Sequence, residues 1–167
     1  MNIKSKLLII SIFNLLAFAF TAPCFAQSAI SDGEAVAFDL SKIDEGVIKE
    51  FGKAWLSSRS GTAYVEGLVL IFRNRDDSYR AGALAPSPEF EKFTFKWVPG
   101  VIAIAHTHPT NCNPRPAAQD IRVADRYRVP ILTITRWGMY MYNPSTKKIT
   151  KVHDNLDWLS ASKWGRT

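Results

Sequence analysis

The chain has 167 residues, of which 47% are hydrophobic and 22% are charged, as in an ordinary globular protein. This composition excludes an intrinsically disordered chain and a collagen-like repeat. The formal net charge is +6, but the cations form no dense cluster, so we expect no nucleic-acid partner.

The first 26 residues have the pattern of a secretory signal peptide. Two early lysines are followed by the apolar run Leu7–Phe20 and then by Cys24-Phe25-Ala26, with small residues at both recognition positions. The apolar run is shorter than the ~20 residues that a membrane span needs, so a retained anchor is the less favoured alternative. We predict cleavage after Ala26, export to the periplasm or the medium, and no stable membrane anchor afterwards.

Residues 27–167 then form one domain with a net charge of +4, which suits an acidic envelope component or another anionic partner. Cys112 is the one cysteine left after cleavage. An internal disulfide is therefore excluded, and the hydrophobic core must supply the stability.

Hydrophobic spacing predicts the secondary structure in chain order. The pattern indicates a helix Leu40–Leu56 capped by Ser41 or Asp44, a strand Ala63–Phe72, a turn Arg73–Ser78, a strand Tyr79–Leu84, a strand or loop through Phe90, Phe93, Phe95 and Trp97, a strand Val101–Ala105, a helix Ala117–Arg128, strands Ile131–Thr135, Met139–Tyr142 and Lys148–Val152, and a terminal helix Asn155–Trp164. This order predicts a single α/β domain with a mixed β-sheet flanked by helices.

The segment His106-Thr107-His108-Pro109 follows a buried strand and carries candidate metal ligands. Alternation places both imidazoles on one side of the extended chain, with backbones ~7 Å apart. Asp120 comes twelve residues after His108, in the first turn of the next helix. Two imidazoles and one carboxylate suit Zn²⁺ and leave a fourth position for water. The alternative is a structural turn whose imidazoles are satisfied by hydrogen bonds.

Glu66 is the one acidic residue within the otherwise apolar run Ala63–Phe72. An unpaired carboxylate in a buried strand is costly, and a zinc-bound water would give it a partner. Glu66 is therefore the candidate general base. The alternative is a solvent-facing residue at a sheet edge.

A strand, His-x-His-Pro, a loop reaching Asp120 on a helix, and Glu66 on an earlier strand together resemble the JAMM (JAB1/MPN/Mov34) metalloprotease superfamily. The likeness is closer to its bacterial DUF4329-type and RadC-like branches, because the hairpin Trp137–Pro144 is similar to one in the DUF4329 group. The resemblance covers roughly Leu56 to Val152 and implies cytidine-deaminase-like α/β/α layers. It also implies that His106, His108 and Asp120 are zinc ligands and that Glu66 is the general base.

The chain departs from that family pattern at the position three residues before Asp120. The family usually has a serine there, whose hydroxyl helps to stabilise the oxyanion, and this chain has Ala117. The loop between His108 and Asp120 is one residue longer than the common spacing. Cys112 lies in this loop and is a candidate for a further metal ligand. The hydroxyls of Thr107 and Thr110 are candidates to replace the serine.

Four aromatic residues near the end of the chain have structural interpretations. We expect Trp137, Trp158 and Trp164 to pack in the core and His153 to be exposed beside a helix cap.

The resemblance implies an exported zinc-dependent hydrolase that cleaves an amide or isopeptide bond. Its substrate would be a peptide or envelope component, such as a peptidoglycan cross-link, or a protein of a neighbouring cell. Two alternatives belong to other classes. One is a catalytically inactive JAMM-fold module that binds metal, and the other is a toxin- or immunity-type interaction protein that uses the scaffold without metal.

Overall fold

The computed structural model describes residues 38–86 and 95–165. The predicted signal peptide, Phe90 and Phe93 lie outside this range. Within these ranges, the two α-helices are Glu45–Ser57 (α1) and Ala118–Tyr127 (α2). The six strands of the same ranges are Leu68–Arg73 (β1), Tyr79–Leu84 (β2), Val101–Thr107 (β3), Ile131–Thr135 (β4), Gly138–Asn143 (β5) and Lys148–Asp154 (β6). None of the helices in the described ranges has the length and apolar character needed to cross a bilayer.

The six strands form one sheet in the order β2-β1-β3-β4-β5-β6. Strands β3 and β4 are parallel, and the other neighbouring pairs are antiparallel. A parallel pair requires a crossover connection, and α2 provides it between β3 and β4. This mixed sheet with helices confirms the predicted α/β class.

Alternation along the central strands divides the core between the two faces of the sheet. On one face, Ala103 and Ala105 of β3 belong to a core cluster with Phe51 of α1. On the other face, Leu68 of β1 and Ile104 of β3 belong to a cluster that includes residues of α2. The candidate ligands lie on the α2 side, because His106 follows Ile104 at a spacing of two.

Two predicted boundaries are wrong near the start of the fold. The first helix begins at Glu45, and a 3-10 turn at Leu40–Lys42 precedes it. Asp44 separates the two, since its side chain accepts a hydrogen bond from the Val47 amide at 3.0 Å and caps α1. Strand β1 begins at Leu68 rather than Ala63, so Glu66 lies in the connection before the strand.

The predicted terminal helix Asn155–Trp164 is wrong. Two 3-10 turns, Asp157–Leu159 and Ala161–Lys163, take its place. The indole N–H of the fully buried Trp158 donates to the Thr135 carbonyl at 3.0 Å, and the indole of Trp164 donates to the Trp158 carbonyl at 3.1 Å. Packing of these two rings therefore sets the path of the backbone. The prediction that Trp158 and Trp164 pack in the core is confirmed.

The interpretations of Trp137 and His153 are wrong. Trp137 occupies the turn between β4 and β5 and is 50% exposed, with its indole N–H donating to the Thr110 carbonyl at 3.3 Å. His153 lies within β6, where its ring packs edge-on against Trp164 at 4.2 Å between centroids. Its Nε2 atom is buried and has no hydrogen-bond partner among the described residues.

Candidate metal centre

Strand β3 positions the two histidines at its carboxyl end. His106 is the penultimate residue of β3, and His108 follows directly after it. Both side chains are buried, and their Nε2 atoms are 2.9 Å apart. The structure thus confirms that alternation brings the two imidazoles together.

The loop that follows fixes the tautomer of His108. Its Nδ1 atom lies 2.8 Å from the backbone carbonyl oxygen of Asn113. Because a carbonyl only accepts hydrogen bonds, Nδ1 carries the proton and Nε2 presents its lone pair towards His106. An imidazole held in this way is oriented for metal binding through Nε2.

Helix α2 brings the Asp120 carboxylate to the same point. Asp120 is in the first turn, as predicted, and its Oδ2 atom accepts the Ala117 N–H at 2.6 Å. Its oxygens lie 3.4 Å from His106 Nε2 and 3.6 Å from His108 Nε2. The capping contact therefore holds the carboxylate against both imidazoles.

The electrostatics of His106 and Asp120 reflect this contact. Burial alone would lower the pKa of the His106 imidazole, but the adjacent Asp120 carboxylate and the charge of Glu66 raise it to about 9. Burial opposes ionisation of Asp120, yet the His106 imidazole and the Ala117 amide hold the pKa of this carboxyl well below its usual range. His106 therefore carries a proton at neutral pH, which any metal ion bound through this ring would have to displace.

Glu66 reaches the centre from the segment before β1. Its carboxylate and one ring nitrogen from each of His106 and His108 all lie within 4.8 Å of one another. The prediction that Glu66 belongs to the strand is wrong, but it is partly buried beside the histidines. Gly67 permits this path, because a Cβ atom there would lie 2.4 Å from the Ala54 carbonyl oxygen in α1.

The donor set fits a zinc ion. Zinc–nitrogen bonds of about 2.0–2.1 Å in a tetrahedral site place two ligand atoms roughly 3.3 Å apart. The separations of 2.9, 3.4 and 3.6 Å among the histidine nitrogens and the Asp120 oxygens lie close to that value. Two imidazoles with one or two carboxylates also match the ligand preference of Zn²⁺.

The hydroxyls of Thr107 and Thr110 are engaged with the backbone around Gly67 and Gly61, and position 117 carries none. Ala117 is exposed at the N-terminus of α2 and has no hydroxyl. The Thr107 hydroxyl accepts the Gly67 N–H, and the Thr110 hydroxyl donates to the Gly61 carbonyl. Cys112 lines the cavity with its Sγ atom 3.8 Å from Asn111 Oδ1.

The four groups open into a cavity of about 260 Å³ between the sheet and α2. Apolar side chains line much of it, and sequence reasoning missed their contribution because strand residues such as Ile104 and Ile131 are indistinguishable from ordinary core. Arg115 also lines it, and its place in a proline-rich loop gave no signal. Alternation places Ile104 on the same face of β3 as His106, but nothing in the sequence marks that position as lining a cavity rather than the core.

No protein-family model matches this chain, and a search of curated proteins found no significant match. The interpretation of the centre therefore rests on its own geometry.

Proposed function

We propose that this protein is a zinc-dependent hydrolase that cleaves an amide or isopeptide bond, with a centre arranged as in the JAMM superfamily. One observation carries the proposal. Two buried imidazoles and the carboxylates of Glu66 and Asp120, from three separate parts of the chain, converge at the end of an open cavity. Perturbed titratable groups that converge in a cavity are typical of catalytic sites.

In this proposal, His106, His108 and Asp120 hold the zinc. Zinc supplies a Lewis acid that polarises the substrate carbonyl and lowers the pKa of water to about 7. The Asn113 carbonyl keeps His108 in the tautomer that offers Nε2. The His106 imidazole, together with the hydrogen bond from the Ala117 amide to Oδ2, keeps Asp120 ionised.

Glu66 handles the protons. Its carboxylate accepts a proton from the attacking water and then delivers that proton to the leaving amine. This assignment places Glu66 beside the zinc without making it a ligand. Its carboxylate lies within 4.8 Å of the histidine nitrogens, a distance that suits a metal ligand as well as a base, and the Glu66→Gln variant described below distinguishes the two roles.

A metal-binding module without turnover is the second candidate function. It is favoured by the alanine at position 117 and by the engagement of the Thr107 and Thr110 hydroxyls elsewhere. An oxyanion donor can contribute ~10²–10³ in rate, so its loss would reduce any hydrolysis.

Metal analysis of the purified protein tests the centre first. We expect about one zinc per chain, and none in the double variant His106→Ala/His108→Ala. His153→Ala is the matched control, because that histidine lies in β6 away from the cavity lining and its loss should leave zinc bound. Stoichiometric zinc in the double variant would exclude the site, and a wild-type protein that takes up no zinc would favour the metal-free interaction protein.

Glu66→Gln separates chemistry from binding. The change keeps the size of the side chain and removes the proton acceptor, so hydrolysis should fall ~10²–10⁴-fold while zinc is retained. Glu45→Gln, at an exposed position in the first turn of α1, is the control. Loss of zinc in Glu66→Gln would make Glu66 a ligand, and unchanged hydrolysis would assign the base to another residue. No hydrolysis by the wild type of any amide or isopeptide substrate would favour the binding module.

We also propose that the chain is exported, on the basis of its first 26 residues. Mass spectrometry of the exported protein should find a first residue at or near Gln27. A mature protein that retains Met1 would contradict this.

A further inference from the structure

The cavity beside the candidate centre has two chemically different halves. Ile104 and His106 lie two residues apart on β3 and therefore share a face of the sheet. Leu68 is the register partner of His106, and Ile131 is the partner of Ile104. Cross-strand partners share a face of the sheet. The sheet wall of the cavity is therefore apolar immediately next to His106.

Helix α2 forms the opposite wall of the cavity, which likewise changes from polar to apolar with distance from the centre. Asp120 and Val123 lie three residues apart and therefore on one side of the helix. Both line the cavity, as does Phe95 from the segment before β3. The cavity thus runs from the four polar groups to an apolar end formed by Ile104, Ile131, Val123 and Phe95.

Arg115 also lines the cavity and carries a positive charge. It is the one lysine or arginine among the described residues that line the cavity. Within residues 38–86 and 95–165, no ion pair engages its guanidinium group. A zinc ion would be balanced by the carboxylates of Glu66 and Asp120, which leaves the charge of Arg115 for an anionic group of the substrate.

We propose that the leaving group of the reaction is an apolar amino acid with a free carboxylate, so that the substrates are N-acyl amino acids or peptides ending in an apolar residue. This inference rests on the proposed hydrolase function. The apolar half of the cavity receives the side chain, and Arg115 pairs with the carboxylate, which a guanidinium recognises in a bidentate manner.

The volume supports recognition of a single residue. At about 260 Å³ the cavity is smaller than the ~300–1,000 Å³ typical of pockets for larger ligands. Hydrolysis adds one water across the amide bond, with hydroxide going to the carbonyl carbon and a proton to the nitrogen. The products are the acyl carboxylate and the apolar amino acid as its zwitterion.

Binding of a substrate mimic that cannot be hydrolysed tests this assignment. N-methylsulfonyl-L-leucine keeps the apolar side chain and the carboxylate, and the sulfonyl group replaces the scissile carbonyl. It is titrated by calorimetry into the zinc-loaded protein and into the chelator-treated protein. N-methylsulfonyl-L-leucinamide lacks the negative charge, and N-methylsulfonylglycine lacks the side chain.

We expect the leucine acid to bind about tenfold or more tightly than either comparison ligand. Arg115→Gln should remove the preference for acid over amide, whereas Arg122→Gln, at an exposed position of α2 outside the cavity lining, should keep it. Val123→Ala should weaken the leucine acid and leave the glycine acid unchanged.

Equal binding of acid and amide, a preference that survives Arg115→Gln, or no binding of the leucine acid would each overturn the inference. The proposed function fails by a different result, namely the absence of zinc uptake or of any amide hydrolysis. The two failures are therefore distinguishable.

Discussion

Thr107 and Gly67 are joined by two hydrogen bonds, although they are forty residues apart in the chain. The Thr107 hydroxyl accepts the Gly67 N–H at 2.9 Å, and the Thr107 N–H donates to the Gly67 carbonyl, also at 2.9 Å. Thr107 lies between the two histidines, and Gly67 follows Glu66. The pair of bonds therefore fixes the approach of Glu66 to His106 and His108.

Thr107→Val should lower the free energy of unfolding by about 1–3 kcal/mol. Valine has nearly the same shape but leaves the buried Gly67 N–H without an acceptor, which costs the desolvation of that group. Urea unfolding measures the change. Thr150→Val, at an exposed position of β6, should change stability by less than about 0.5 kcal/mol. Equal stability of the two variants would show that the hydroxyl bond contributes little.

Gly67→Ala should destabilise the protein by about 1–3 kcal/mol, because the added Cβ overlaps backbone atoms of Ala54. The matched control is Gly82→Ala in β2, where a Cβ meets nothing within 4 Å. Alanine should be neutral or slightly stabilising there, since it restricts the unfolded chain. Thermal unfolding of both variants makes the comparison, and a Gly67→Ala protein as stable as Gly82→Ala would contradict the close approach.

Ala117→Ser should raise the free energy of unfolding by about 1 kcal/mol. Ala117 is the N-cap of α2 and makes no side-chain hydrogen bond to the helix, so a serine hydroxyl would satisfy a further backbone N–H. Ala118→Ser, at the first helical position, should give no such gain. Chemical denaturation measures both variants, and an unchanged stability would mean that the new hydroxyl does not cap.

The same Ala117→Ser variant tests the oxyanion hypothesis. If the hydroxyl reaches the reacting carbonyl, hydrolysis should rise, by up to ~10²–10³-fold. Zinc content should stay the same, because position 117 is not a ligand in our assignment. A variant that gains stability without gaining activity would separate the capping role from the catalytic one.

Zinc should stabilise the folded protein. A ligand that binds the native state alone adds about 2.7 kcal/mol at a free concentration one hundred times its dissociation constant. The unfolding midpoint should rise with added zinc and return on chelation. The His106→Ala/His108→Ala protein should show no rise, and a zinc-independent midpoint in the wild type would contradict the site.

The sequence allows the histidine pair and Asp120 to be predicted because they depend on local geometry. Alternation along β3 places both imidazoles on one side of the chain. The short proline-rich loop that follows then brings the first turn of α2, with Asp120, next to them. The sequence predicts the position of Glu66 less well. It assigns Glu66 to a strand, whereas β1 begins only after Gly67. That boundary depends on the close contact with Ala54, which no local pattern reveals.

The end of the chain could not be predicted for a related reason. Residues 155–164 have apolar spacing that favours a helix, but Trp158 and Trp164 each donate an indole hydrogen bond to a carbonyl outside any helical pattern. Burial of two large rings outweighs the modest helix propensity of so short a segment. Tertiary contacts therefore decide the backbone there.

The order of the strands gives the candidate centre a modular construction. His106, His108, Asp120 and Arg115 all belong to the continuous unit β3-α2-β4, whereas Glu66 lies in the segment that precedes β1, a strand paired with both β2 and β3. In the proposed hydrolase, displacement of this segment would withdraw the proton acceptor and leave His106, His108 and Asp120 in place. The proposed proton transfer would thus depend on the local stability of the segment before β1, and the proposed metal binding on that of the central strands β3 and β4, both measurable by hydrogen exchange.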